Sequence, residues 1–170
     1  MEETIDTAHE IGENVTITNI SHLRSITYEQ AKKIKSLRVE NQTFDGWIFF
    51  DFDSHFPDDN LEQIYFDNCS FSGLGLWILR EFPSASRIGF TRCGLRCDSL
   101  EKLLYSGEME VLDLSGNNFE NPNLFVNVLR EKIFRFRWLK TLIISDNGFD
   151  PTIVPLLKDS GRANVGEVIL

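Results

Sequence analysis

Apolar and polar residues alternate in short bursts along the chain rather than in long amphipathic runs. From Met109 it reads MEVLDLSGNNF, from Leu139 LKTLIISDNGF, from Leu61 LEQIYFDNCSF and from Ala85 ASRIGFTRCGL. A weaker copy, IKSLRVENQTF, starts at Ile34. A truncated copy, VGEVIL, ends the sequence, and NVTITNI from Asn14 fits a degenerate first copy. Places one, four, six and eleven of each full unit are apolar, and place nine is Asn or Cys, with Gln42 in the weak copy. Alternation through places three to seven predicts a short strand with places four and six inward and places three, five and seven outward.

The fourth-place residues Leu37, Ile64, Ile88, Leu112, Leu142 and Val168 are separated by 27, 24, 24, 30 and 26 positions. A period of that size means one supersecondary unit per repeat, with a core completed only by stacking. The segments between copies, FDGWIFFDFDSHF, SGLGLWILREF, CDSLEKLLYSG and NPNLFVNVLREKIFRFRW, read as helical or irregular returns. In the last of these, Leu124, Val128, Leu129, Ile133 and Phe136 approach a 3.6-residue period, and Asn121-Pro122 suits a cap and first turn.

Asparagine at place nine has a physical reason. The turn after each strand leaves backbone groups without a ladder partner, and burying one unpaired costs about 1–3 kcal/mol. Asn117 and Asn147 carry both donor and acceptor and are expected to bond such groups in their own and the next coil. Cys69 and Cys93 fill the same place as compact weak donors, so a structural role outweighs a reactive or metal one. Cys97 lies outside the pattern, entering the following helix. The eleventh-place residues Phe44, Phe71, Leu95, Phe119 and Phe149 are expected to stack as a spine beneath the turns.

These units resemble the leucine-rich repeat family, whose signature is L-x-x-L-x-L-x-x-N/C-x-L. The resemblance covers about residues 34–170, and 14 onward if the degenerate copy is counted. It implies an α/β leucine-rich repeat solenoid with a short curved parallel sheet on the concave face and helical or irregular returns on the convex face. Six to seven strands would form a single domain over residues 14–170, with the last repeat truncated, behind a flexible acidic tail over 1–13. Repeat length, helical returns and the lack of cysteine-rich caps look closest to the ribonuclease-inhibitor-like and other intracellular subclasses. The resemblance also implies that the concave face binds another protein.

That face can be written as columns. Arg38, Tyr65 and Arg87 form a patch across three neighbouring strands, with Asp67 and Asp113 beside it, and Arg and Tyr are enriched in interface hot spots. Val111, Ile143 and Ile169 form an apolar patch toward the C-terminal end. The competing reading of the first patch is a solvated face in which Arg38 pairs with Glu40 or Asp67. For the second it is ordinary β propensity. The strand at VIL has no polar capping unit after it, so either a further segment or a partner is expected there, self-association being the simplest case. Arg130, Lys132, Arg135, Arg137 and Lys140 make the return before Leu142 basic, which a solvated helix explains.

Composition narrows the function classes. The chain has 170 residues, a formal charge of -9 and a pI near 4.8, which disfavours general nucleic-acid or anionic-membrane binding. The most apolar run, WIFFDF, is broken by acids, and the acidic start MEETIDTAHEIGENV is no signal peptide. Three cysteines cannot all pair internally and favour a reducing compartment, cytoplasmic or nuclear. Sequons at Asn14, Asn19, Asn41 and Asn68 are read as chance. His9, His22 and His55 share no column with a cysteine or serine, Asp58 and Asp59 read as turn chemistry, and no catalytic or phosphate-binding motif occurs. The expected function is a non-enzymatic interaction module with no cofactor or metal. A substrate-recognition subunit of a ubiquitin ligase would need an adaptor-binding box, which the N-terminal stretch lacks. A small-GTPase regulator would need an exposed assisting arginine or asparagine on a loop, which nothing singles out.

Overall fold

A computed structural model describes residues 12–44, 60–72, 85–101, 109–132, 138–158 and 165–170. The alternating bursts form strands: β1 (Asn14–Ile17), β2 (Ser36–Glu40), β4 (Gln63–Asp67), β6 (Arg87–Thr91), β7 (Val111–Asp113), β8 (Thr141–Ile143) and β9 (Glu167–Ile169). They make one seven-stranded sheet in chain order, and every pairing in it is parallel. Register follows the repeat place for place: Leu37 pairs with Ile64, Ile64 with Ile88, Ile88 with Leu112, Leu112 with Leu142 and Leu142 with Val168. The degenerate copy at Asn14 is β1, on the far edge, pairing Val15 with Leu37. A second, two-stranded parallel sheet joins β3 (Thr43–Phe44) to β5 (Ser70–Phe71).

Backbone bonds stitch consecutive units at both ends of the strands. At the entry, the second-place carbonyl of one unit accepts two N–H groups of the next, as Lys35 does from Glu62 and Gln63 and Glu110 does from Lys140 and Thr141. The Glu13 carbonyl does the same for Lys35 and Ser36, so the ladder includes a residue assigned to the N-terminal tail; residues 1–11 lie outside the described part. At the exit, the eighth-place N–H donates to the seventh-place carbonyl of the next unit: Asn41 to Asp67, Asn68 to Thr91, Arg92 to Ser115 and Gly116 to Ser145. Every one of these eighth places, and Asp146 in the fifth full unit, has a left-handed φ between 50° and 67°. Asn, Asp and Gly tolerate that region. Arg92 is the exception.

The ninth place carries the interior polar ladder. Asn117 donates to the Phe90 and Leu114 carbonyls at 2.6 and 2.7 Å and accepts from the N–H groups of Cys93 and Leu95 at 3.1 and 3.0 Å. Asn147 repeats this by donating to Leu114 and Ile144 and accepting from the Asn117 N–H. The bonds therefore run to the residue's own coil and to the preceding one, opposite to the direction expected, because the sixth-place carbonyl of the previous unit lies under the amide. The Cys69 and Cys93 thiols donate weakly to the matching carbonyls of Val39 and Phe66, both at 3.4 Å. Gln42 reaches back to the Thr18 carbonyl and the Ile20 N–H.

Below the sheet the core is continuous from Ile17 to Val165. Phe44 stacks on Phe71 at 5.1 Å and Phe66 on Phe90 at 5.3 Å, while Phe119, Phe125 and Phe149 form a second group. Leu95 separates the two groups, and Phe71 and Phe149 are only half-buried at the rim. The described helices are α1 (Ile20–Ser25), α2 (Tyr28–Ala31), α3 (Cys97–Glu101), α4 (Pro122–Lys132) and α5 (Ile153–Lys158). α3 begins at Cys97, which is buried. Asn121 caps α4 by accepting from the Leu124 N–H at 3.0 Å. The face of α4 that packs inward holds Phe125, Val126, Val128 and Leu129, whereas Leu124 points to solvent. Val128 and Leu129 are buried as the periodicity leads one to expect, Leu124 of the same expected face is exposed, and Ile133 and Phe136 lie outside the described residues. The returns expected within 45–59 and 73–84 lie outside the described residues.

Candidate binding face

Places four and six are sealed in every central strand, and places three and five reach solvent or its margin except at Gly89, which is buried. The face that results divides into three regions with different chemistry.

At the exit end, Asp67 departs from the expected open column. Its side chain is 6% exposed and sits under two guanidiniums. Arg38 donates to its Oδ2 at 2.6 Å, Arg92 to Oδ1 at 3.0 Å and Oδ2 at 2.5 Å, and the Thr91 hydroxyl to Oδ1 at 2.9 Å. Arg38 also holds Glu40 at 2.7 Å. Burial alone would push the Asp67 carboxyl up, but the bonds from Arg92, Thr91 and Arg38 outweigh it and hold it below the usual carboxylate range. Three successive units are tied in register through one carboxylate: Arg38 from β2, Asp67 from β4 and Arg92 just past β6. The Arg92 chain lies against Gly116, where a Cβ would come within 2.8 Å of its Cγ.

In the centre, the Tyr65 ring lies flat across Gly89 of the neighbouring strand. A Cβ on Gly89 would fall 2.3 Å from Tyr65 Cδ1. Gly89 is thus a notch that lets the ring cover β6, and it is itself buried. Burial raises the Tyr65 hydroxyl pKa and Asp113 raises it further, while Arg87 and Arg38 oppose this. Among the described residues neither the Tyr65 hydroxyl nor the exposed Arg87 guanidinium has a hydrogen-bond or ion-pair partner. One oxygen of Asp113 accepts the Ser115 N–H and hydroxyl, and among the described residues its other oxygen has no donor.

Toward the other edge, Val111 and Ile143 are half-buried and Ile169 is 38% exposed, one residue from Leu170. These neighbours on β7, β8 and β9 form an apolar strip beside Asp113. The patch expected as Arg38, Tyr65 and Arg87 is therefore split: Arg38 turns toward Glu40 and Asp67, about four residues along the strand from the place of Arg87, or ~13 Å. Arg92 was missed by sequence reasoning, although its signal was there: an arginine standing where other units place Asn, Asp or Gly.

The basic return holds fewer open charges than its sequence promises. Arg130 donates to the Leu156 carbonyl and Lys140 pairs with Glu110; Arg135 and Arg137 lie outside the described residues. All three cysteines are buried, and desolvation raises the Cys69 thiol and pushes that of Cys93 up to about 12. Among the described residues no group of His, Cys, Asp and Glu is placed to hold a metal, and no helix is long and apolar enough to cross a membrane.

Comparison with known proteins adds one finding. No curated protein sequence matches the chain. A Leucine Rich Repeat family model matches residues 108–128, which span β7, the Asn117 turn and the first turns of α4. The match and the place-for-place register of the parallel sheet together support membership of the leucine-rich repeat family, a motif that points to protein interaction.

Proposed function

We propose that the chain is a non-enzymatic protein-interaction module, a short leucine-rich repeat solenoid forming one domain from residue 14 onward, that grips its partner on the open face of the parallel sheet. The observation that carries this is the centre of that face: among the described residues Arg87 and the Tyr65 hydroxyl have no partner, and they stand beside Val111 and Ile143. Unspent donors next to apolar surface are what a recognition site needs. Asp67 and Arg38 serve this site by locking the strands. Three buried thiols suit a reducing compartment, cytoplasm or nucleus.

The test is co-purification from native extract, read by mass spectrometry, with wild type and with Arg87→Glu plus Ile143→Glu. Circular dichroism first establishes that the variant folds. Loss of the specific partners supports the proposal, and retention of all of them refutes it.

A second reading is favoured by a separate observation. Among the described residues β9 is an edge strand of the sheet, and Ile169 and Leu170 there are 38% and 41% exposed. Pairing of two copies along β9 would bury both residues. Sedimentation velocity over a hundredfold concentration range would detect the dimer, and Ile169→Lys would remove it.

A further inference from the structure

The chemistry of the face narrows the partner, and this inference rests on the interaction reading above. Of the three arginines near the sheet surface, two are spent: Arg38 on Glu40 and Asp67, Arg92 on Asp67. Among the described residues Arg87 offers an unpaired guanidinium, and the Tyr65 hydroxyl on the neighbouring strand, which feels the Arg87 charge, is a further donor without a partner. Asp113, on the adjacent strand, bounds the donors on the far side with a negative charge. One free cation facing one fixed anion suits a single carboxylate. A phosphate dianion would leave a full charge uncompensated in front of Asp113.

Val111 lies directly beside Arg87 on β7, and beyond Asp113 the surface turns apolar at Ile143 on β8. From β6 to β8 are two strand spacings, about 10 Å, which an extended peptide crosses in about three residues. We propose that the sheet face recognises an extended peptide segment in which an aspartate or glutamate, bound by Arg87 and Tyr65, is followed or preceded three residues away by an aliphatic side chain seated on Ile143. Gly89 is a positioning residue here. Its missing Cβ keeps the Tyr65 ring flat and sets the height of the hydroxyl.

The experiment is selection of a displayed library of random dodecapeptides on the full chain, followed by fluorescence anisotropy of the enriched peptides. The expected result is a consensus with an acid and an aliphatic residue three positions apart. Affinity should fall about tenfold or more with Arg87→Gln, severalfold with Tyr65→Phe and tenfold with Ile143→Ser, and should not change with Arg96→Gln. Replacing the peptide acid by its amide should match the loss seen with Arg87→Gln, and phosphoserine in its place should bind no better than the acid. Peptides sensitive to Ile143→Ser but indifferent to Arg87→Gln overturn the acidic specificity while leaving the interaction face standing. Peptides indifferent to all three face variants, or a library that yields no binder, overturn both.

Discussion

Deleting the Asp67 carboxylate is the sharpest perturbation the structure offers, because its effect on a neighbouring substitution reverses sign. Asp67→Ala removes a buried acceptor that holds Arg38, Thr91 and Arg92. Breaking a fully buried ion pair costs about 3–5 kcal/mol. Here the guanidiniums are 43% and 67% exposed and can rehydrate, so the loss shrinks to about 2 kcal/mol. Arg92 meanwhile has a φ of 55°, a conformation that costs a non-glycine residue about 1–2 kcal/mol.

Arg92→Gly therefore does two opposing things. It relieves the backbone by about 1 kcal/mol after allowing for the flexibility glycine gives the unfolded chain. It also forfeits about 2 kcal/mol of bonding to Asp67. In the wild type it should destabilise by about 1 kcal/mol; in the Asp67→Ala background, where no carboxylate remains, it should stabilise by about the same amount. Urea denaturation of the four proteins, followed by circular dichroism, reads the cycle directly. If Arg92→Gly shifts the midpoint in the same direction in both backgrounds, the strut between units contributes nothing net and the reasoning fails.

The same carboxylate sets a pH dependence. Its native pKa lies below the unfolded value of about 3.9, so its stabilisation is full above that value and is lost as the pH falls through the lowered native one. Urea midpoints measured from pH 6 to pH 2.5 should fall more steeply for the wild type than for Asp67→Asn. Asn117→Ala leaves the Phe90 carbonyl and the Cys93 and Leu95 N–H groups short of a partner, while the Leu114 carbonyl keeps its bond from Asn147, and should cost about 3 kcal/mol, more than Asn147→Ala at its half-buried place. Gly89→Ala should leave the denaturation midpoint within about 1 kcal/mol of wild type while tilting the Tyr65 ring, seen as a changed near-ultraviolet dichroism signal. At pH 8 the Cys93 thiol should resist alkylation until urea unfolds the chain, since a pKa of about 12 leaves almost no thiolate.

Much of the fold was legible because the repeat constrains every level at once. Apolar places four and six specify strands, their equal spacing specifies register, and a donor-acceptor side chain at place nine specifies stacking. What escaped was information held between columns. Asp67 reads as a solvent-facing seventh place, and only the convergence of Arg38 from the preceding unit with Arg92 from the following one buries it. Gly89 inside a strand was a visible signal of close approach, but the approaching group, Tyr65, belongs to another repeat. The inward face of α4 was legible at Val128 and Leu129 but not in its first turn, where Leu124 points outward and Phe125 and Val126 are buried.

The distribution of charge on the sheet then has a simple cause. Parallel strands end together, so the backbone at place eight turns in the same left-handed way in successive units, and polar side chains at places seven and eight are close enough to bond one another. Asn68 bonds Asn41 at 2.7 Å, and Arg92 bonds Asp67. Places three and five lie farther from those turns, where side chains stand upright on the pleat and meet only their lateral neighbours. At that level Arg87 faces Gln63 on one side and Val111 on the other, neither of them a counter-ion. The geometry that consumes polar groups at the exit of each strand thus leaves the Arg87 guanidinium outside that network, at a level where its lateral neighbours carry no opposite charge.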